Sequence, residues 1–185
     1  MLHFFFIHGA DPSLGRLDYT SLSQQALMEM FIAGIENREI ICGSREEPTD
    51  VTEWKDVEFH NDPQEVTKIK WSFMQLKGSI DAQWIPAAVV TLHLNHNDLC
   101  GSLELRSLPP SLVELLAYIN GFTGSVCLTE LPVGLSRLNL HTNYFSANPT
   151  KGHLSVVGWT STPVLGEAKN LFKPLVVFLS WRRPY

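Results

Sequence analysis

Apolar residues recur through the middle of the chain at a fixed step of 23. Ile69, Leu92, Leu115 and Leu138 form one column, Leu76, Leu99, Phe122 and Phe145 a second, and Ile80, Leu103 and Val126 a third. Three special residue types keep the same step: Asn97, Asn120 and Asn143; Gly78, Gly101 and Gly124; Pro86, Pro109 and Pro132. A period of this length marks a stack of small units, none of which can bury its apolar face without a neighbour. Within each unit two apolar positions flank one variable residue, with Trp71, Leu94, Ala117 and Leu140 filling the second place. That alternation predicts a short strand with one buried face, and stacked units then predict a parallel sheet. The asparagine follows the strand, where its amide can pair backbone groups of the turn that would otherwise be buried unpaired. The glycine allows a tight or left-handed backbone, and the proline sets the turn into the next strand.

The pattern runs over about 65–148. Its first unit carries Met74 where asparagine is expected, and its fourth stops at Ala147 and Pro149 in place of glycine and an apolar residue. Terminal repeats are commonly atypical. We expect residues 1–64 to form an N-terminal cap, 65–148 about four units with the last incomplete, and 149–185 a non-repeating tail. In the cap, residues 20–35 predict a helix. Ser21 and Gln24 have the spacing of a capping box, and Leu22, Ala26 and Met30 run beside Leu27, Phe31 and Ile35 as adjacent apolar rows. For the tail two readings stand: a cap over the open end of the sheet, or the partly unstructured end of a longer array cut short.

Composition narrows the function. The 185 residues are 44% hydrophobic and 18% charged, which suits a core-forming domain and excludes disorder as a reading of the whole. A net charge of −5 provides no field for a phosphate backbone, so nucleic acid is not expected as a partner. Apolar runs are too short to span a bilayer, so no membrane insertion is expected. The first residues lack a basic segment before their short apolar run, and no signal peptide is expected. Three cysteines, Cys42, Cys100 and Cys127, are sparse and odd in number, which favours a reducing, cytoplasmic location.

Written as one unit, L-x-x-L-x-L-x-x-N-x-L-x-G-x-L-x-L-x-x-L-P-x-x resembles the leucine-rich repeat. The order of an amphipathic helix, then Trp54 to Val57, then the first strand is similar to the N-terminal cap of plant-type leucine-rich-repeat proteins, as are segments such as Leu76-Lys77-Gly78-Ser79-Ile80. That cap type normally carries a bracketing cysteine pair. Here Phe59 stands where the second would fall, leaving Trp54, Val57, Phe59 and the helix rows to hold the cap by packing. The unit length is also similar to the short, Leu-Pro-rich repeat proteins of trypanosomatid protozoa. The resemblance implies an α/β fold, a short solenoid with a helical N-terminal cap and a parallel sheet on its concave face. It implies a non-enzymatic binding module for a protein partner not identified by sequence, with no cofactor.

Signals for chemistry are thin. Phe6-Ile7-His8-Gly9 is similar to the strand and His-Gly opening of α/β-hydrolases, but no G-x-S-x-G elbow accompanies it. No phosphate-binding glycine loop, His-Glu-x-x-His or C-x-x-C occurs. His93, His96 and His141 lie too far apart along the array to form one metal centre. Cys100 and Cys127 read as exposed thiols without a catalytic partner. What remains is the set of outward strand positions, aligned from unit to unit: Lys68, Thr91, Glu114 and Arg137; Lys70, His93, Leu116 and Asn139; Ser72, Asn95, Tyr118 and His141. Leu116 and Tyr118 amid mixed charge have the composition of a protein-recognition surface. The candidate binding residues are Lys68, Lys70, Thr91, His93, Glu114, Leu116, Tyr118, Arg137, Asn139 and His141. The alternative is a structural or vestigial fragment of a longer array with no specific partner. The face spans roughly 300 Å², below the ~800 Å² per partner of a standard stable interface.

Overall fold

In the computed structural model, residues 22–61, 64–146 and 176–178 are described. The helix expected over 20–35 is shorter: α1 spans Gln24–Phe31, and its N-cap is Ser23, whose side chain accepts from the Ala26 amide at 3.1 Å. Ser21 lies outside the described residues. A one-turn helix, α2 (Glu39–Cys42), and a 3-10 turn, Val51–Glu53, complete the helical part of the cap. Leu27, Met28 and Phe31 are buried, and the Phe31 ring stacks on the Trp71 indole at 5.7 Å, so the helix packs onto the first repeat strand. Two glutamines fasten it further. Gln24 Oε1 accepts from the Val66 amide at 3.2 Å, and Gln25 Oε1 from the Val51 amide at 2.6 Å.

The array is built as its period predicts. β2 (Gln64–Lys70), β4 (Thr91–His93), β6 (Glu114–Leu116) and β8 (Arg137–Asn139) pair in parallel, with Ile69 opposite Leu92, Leu92 opposite Leu115 and Leu115 opposite Leu138. All four are fully buried. On the other side of each coil, β3 (Lys77–Ser79), β5 (Asp98–Ser102) and β7 (Gly121–Thr123) form a second parallel sheet. The core between the two sheets is filled by the remaining columns, among them Trp71, Leu94, Ala117 and Leu140, and Leu76, Leu99 and Phe122. Gly78, Gly101 and Gly124 adopt φ of +91°, +80° and +85°, the left-handed backbone their column suggested. Each proline opens a turn, with Val89, Leu112 and Leu135 amides donating to the carbonyls of Pro86, Pro109 and Pro132.

The asparagines tie coil to coil. Asn97 Oδ1 accepts from the amides of Met74 and Leu76, both at 3.0 Å, while its Nδ2 donates to the carbonyls of Trp71 and Leu94 at 2.7 and 2.8 Å. Asn120 Oδ1 accepts from Leu99, and its Nδ2 donates to Leu94 and Ala117; Asn143 repeats this with Phe122, Ala117 and Leu140. Each amide serves the turn of the preceding coil, which explains why the first unit tolerates Met74: Asn97 satisfies its backbone instead.

Both N-terminal sheet edges are covered, which removes the unpaired strand groups that invite association. β1 (Val57–Asn61) runs antiparallel to β2. On the second sheet, the segment after α1 docks on β3. Ile35 bridges Gly78, the Ser79 amide donates to Gly34, the Glu36 amide to Lys77, and Asn37 exchanges bonds with Gln75 and Lys77. The apolar row ending in Ile35 therefore leaves the helix at Phe31 so that its last member can pair as an edge strand. At the other end, β9 (Val176–Phe178) adds in parallel to β8, Arg137 opposite Val176. It arrives 39 residues after its partner, off the 23-residue step.

Trp54 is buried and its indole donates to the Thr49 carbonyl at 2.9 Å, with Val57 and Phe59 packed alongside as half-buried neighbours. Cys42, Cys100 and Cys127 are free thiols. Cys42 is enclosed, and its burial pushes the thiol pKa up.

Candidate protein-binding surface

The outward columns line up as expected on the concave face, but several of their side chains are already engaged. Lys68 and Lys70 both reach Glu58 of β1, the first at 2.7 Å. These two hydrogen bonds hold the Glu58 carboxyl down at about 2, against an ordinary 4.5. A carboxyl with a lowered folded-state pKa contributes stability above its unfolded value that is lost as pH falls through the folded one. Stability measured by urea unfolding should therefore fall between pH 4.5 and 2 more steeply in the wild type than in Glu58→Gln. The difference between the two proteins should close at the acid end.

At the far side Arg137 pairs with Glu114, and the His93 Nε2 stands 3.6 Å from the other Glu114 oxygen, without a hydrogen bond among the described residues. Asn139 Oδ1 accepts from the His141 amide at 3.3 Å. Thr91 is half-buried between Lys68 and Glu114, its Cα partners on either side. Lys68, Lys70, Glu114 and Arg137 thus neutralise one another's charge in place or through Glu58, and Asn139 is held by its own loop.

One expectation fails. Asn95 does not face outward: it is 4% exposed, and its Oδ1 accepts from Ser72 Oγ at 2.8 Å. The strands end at Lys70, His93 and Leu116, one residue short of the core position that precedes this column, so strict alternation stops applying there. Leu116, Tyr118 and His141 are half-buried rather than open.

The structure brings together a group that column-wise reading misses. Phe73 stacks on His96 at 4.0 Å between centroids, His96 meets Tyr118 edge-on at 5.2 Å, and Tyr118 stacks on His141 at 4.7 Å. Two rings come from one column and two from the next. Phe73 and His96 adopt φ of +59° and +58°, and this left-handed backbone, shared by Ile119 and Thr142, turns the chain so that rings from neighbouring columns meet. Non-glycine residues seldom take this conformation, and for β-branched ones it is unusual. Here the geometry is held by amides donating across the stack, Phe73 to Asn95, His96 to Tyr118 and Ile119 to His141. Phe73 is 68% exposed. Because three of the four rings lie face to face, the rail turns mainly ring edges outward, a continuous apolar ridge with imidazole nitrogens along it.

Among the described residues no group of three His, Cys, Asp or Glu gathers to hold a metal ion, and no helix is long and apolar enough to cross a membrane. His8 lies outside the described residues.

No family model matches the chain, and no curated protein matches it significantly. Solved structures do. The BIR2 ectodomain from Arabidopsis thaliana superposes with a TM-score of 0.56 at 20% identity, over 66% of this chain and 69% of that one. The leucine-rich-repeat ectodomain of the plant membrane receptor kinase GASSHO1/SCHENGEN3, also from Arabidopsis thaliana and in complex with CASPARIAN STRIP INTEGRITY FACTOR 2, gives 0.58 at 22% identity. That match covers 66% of this chain and 16% of the receptor. Pollen Receptor Kinase 3 gives 0.52 at 24% identity, over 65% and 60%. The chain is a short parallel solenoid of the leucine-rich-repeat class. Its coils are of the 23-residue, plant-like kind, capped at the N-terminus by a partly helical segment.

Proposed function

We propose that the chain is a non-enzymatic protein-interaction module whose concave strand face, centred on Leu116, Tyr118 and the aromatic rail, contacts a protein partner. The observation that carries this reading is the contrast on that face. Its lysines, arginine and glutamates are paired within the molecule, whereas Phe73, His96, Tyr118 and His141 form an uninterrupted half-exposed ridge across all four coils. Exposed ion pairs add little to association, and partly buried aromatic groups inside a polar rim supply most of it. The rail also lengthens a surface that the strands alone leave small. Localisation in a reducing compartment remains our expectation from the free cysteines. The similar solved structures are plant receptor ectodomains, so imaging of the tagged full-length chain decides between the two settings.

The test is affinity capture from native extract with wild type, Leu116→Ala/Tyr118→Ala and Phe73→Ala proteins, each checked for folding by circular dichroism. Partners held by the wild type should be lost from the double variant and weakened at least tenfold by Phe73→Ala, a change of about 1.4 kcal/mol. An unchanged partner list with folded variants contradicts the concave-face reading. No reproducible partner for the wild type would favour a structural fragment.

A further inference from the structure

The geometry points to a second binding site on the rim of the solenoid, a notch between Asp98 and Tyr144 that accepts a guanidinium group, such as an arginine side chain of a partner. Beyond the asparagine ladder the next outward column reads Gln75, Asp98, Gly121, Tyr144. Leu99 and Phe122, which follow Asp98 and Gly121 in β5 and β7, are fully buried, so alternation sends Asp98 and Gly121 to the outer face. Asp98 and Tyr144 both line one depression of about 340 Å³, whose floor is Gly121. The missing side chain at Gly121 makes the gap. The two flanking residues stand two coils apart, about 10 Å at the 4.8 Å strand spacing.

The chemistry of the walls selects the occupant. Asp98 is the one charged residue in the lining, is exposed, and its carboxylate makes no hydrogen bond or ion pair among the described residues. Opposite it the Tyr144 ring is 68% exposed. The asparagine amides at the back, Asn97, Asn120 and Asn143, spend their donors and acceptors on the backbone ladder, so they orient no ligand. An unpaired carboxylate facing an aromatic ring across a gap suits a flat cation that bonds at its edge and stacks on its face. Guanidinium does both, whereas an ammonium is a point charge with no face to stack. The notch lies beyond the concave rail and stands independently of it.

The experiment is an NMR titration of the ¹⁵N-labelled full chain with the peptide acetyl-Gly-Arg-Gly-amide, beside the same peptide with citrulline, the neutral isostere of arginine. The arginine peptide should shift the amides of Gly121, Ile119 and Tyr144 saturably at millimolar concentration, and the citrulline peptide should bind at least tenfold more weakly. Asp98→Asn should weaken the arginine peptide about tenfold and Tyr144→Leu at least threefold. Leu116→Ala/Tyr118→Ala should leave it unchanged, which separates this site from the concave face. Equal shifts with both peptides, Asp98→Asn binding within twofold of wild type, or shifts centred on Glu58 or Glu114 would overturn the assignment.

Discussion

Replacing Asn97 with alanine lowers stability by on the order of 3–5 kcal/mol, read as a shift in the urea midpoint without a change in m-value. The magnitude follows from the four backbone groups this one amide serves: the amides of Met74 and Leu76 and the carbonyls of Trp71 and Leu94. All lie where Asn97 itself is 7% exposed. A buried polar group left without a partner costs ~1–3 kcal/mol, and relaxation or an entering water recovers part of the sum. A whole domain of this size is stable by only ~5–15 kcal/mol, so the loss is a large share of the total. Position matters more than residue type. Asn97 also serves a first coil that has no asparagine of its own, so its loss should exceed that of Asn143→Ala, whose Oδ1 accepts from Phe122 alone. A destabilisation under 1 kcal/mol for Asn97→Ala would mean that the ladder does not hold the coils.

The second large effect is expected at the seam between cap and array. A Cβ added to Gly78 would fall 2.2 Å from the Gly34 carbonyl oxygen and 3.0 Å from the Glu36 nitrogen, at a φ of +91°. Neither contact is with a flexible side chain, so the cap segment must move and the bonds it makes to β3 break. We expect Gly78→Ala to cost at least about 3 kcal/mol, combining left-handed strain of ~1 kcal/mol with the lost edge pairing. Gly101→Ala is the matched control. It has a similar φ of +80°, but its new methyl would meet only the Ser79 Cβ at 3.3 Å, so the cost should stay near the strain alone. Limited proteolysis adds a separate readout, since only Gly78→Ala should expose the segment around Ile35. Equal costs for the two variants would show that backbone strain, and not docking of the cap, sets the stability of this seam.

How far the fold is legible in the sequence follows from where its constraints repeat. Ile69, Leu92, Leu115 and Leu138 satisfy one requirement four times, so register, parallel pairing and the buried face can all be read from spacing. The same holds for the asparagines and the left-handed glycines. The docking of Ile35, Glu36 and Asn37 on β3 occurs once, through backbone bonds that leave no periodic mark, so the apolar row through Ile35 looks like a longer helix. The aromatic rail was hidden for a related reason. Its rings belong to two adjacent columns, and they meet because Phe73 and His96 take a left-handed backbone that nothing in those residue types announces. Alternation correctly places Lys68, Thr91, Glu114 and Arg137 on the surface, yet misplaces Asn95, because the strands have ended before it. Pairing of the charges was partly visible in the alternating signs at Glu114 and Arg137, but Glu58 reaches the two lysines only because β1 folds back antiparallel.

The central claim is that coils of 23 residues stack in register, and methyl NMR of selectively labelled leucines tests it most directly. The account predicts methyl cross-peaks from Leu92 to Leu115 and from Leu115 to Leu138, and none between Leu92 and Leu138, which stand about 10 Å apart across the intervening strand. A direct Leu92 to Leu138 cross-peak, or absence of both sequential ones, would contradict it.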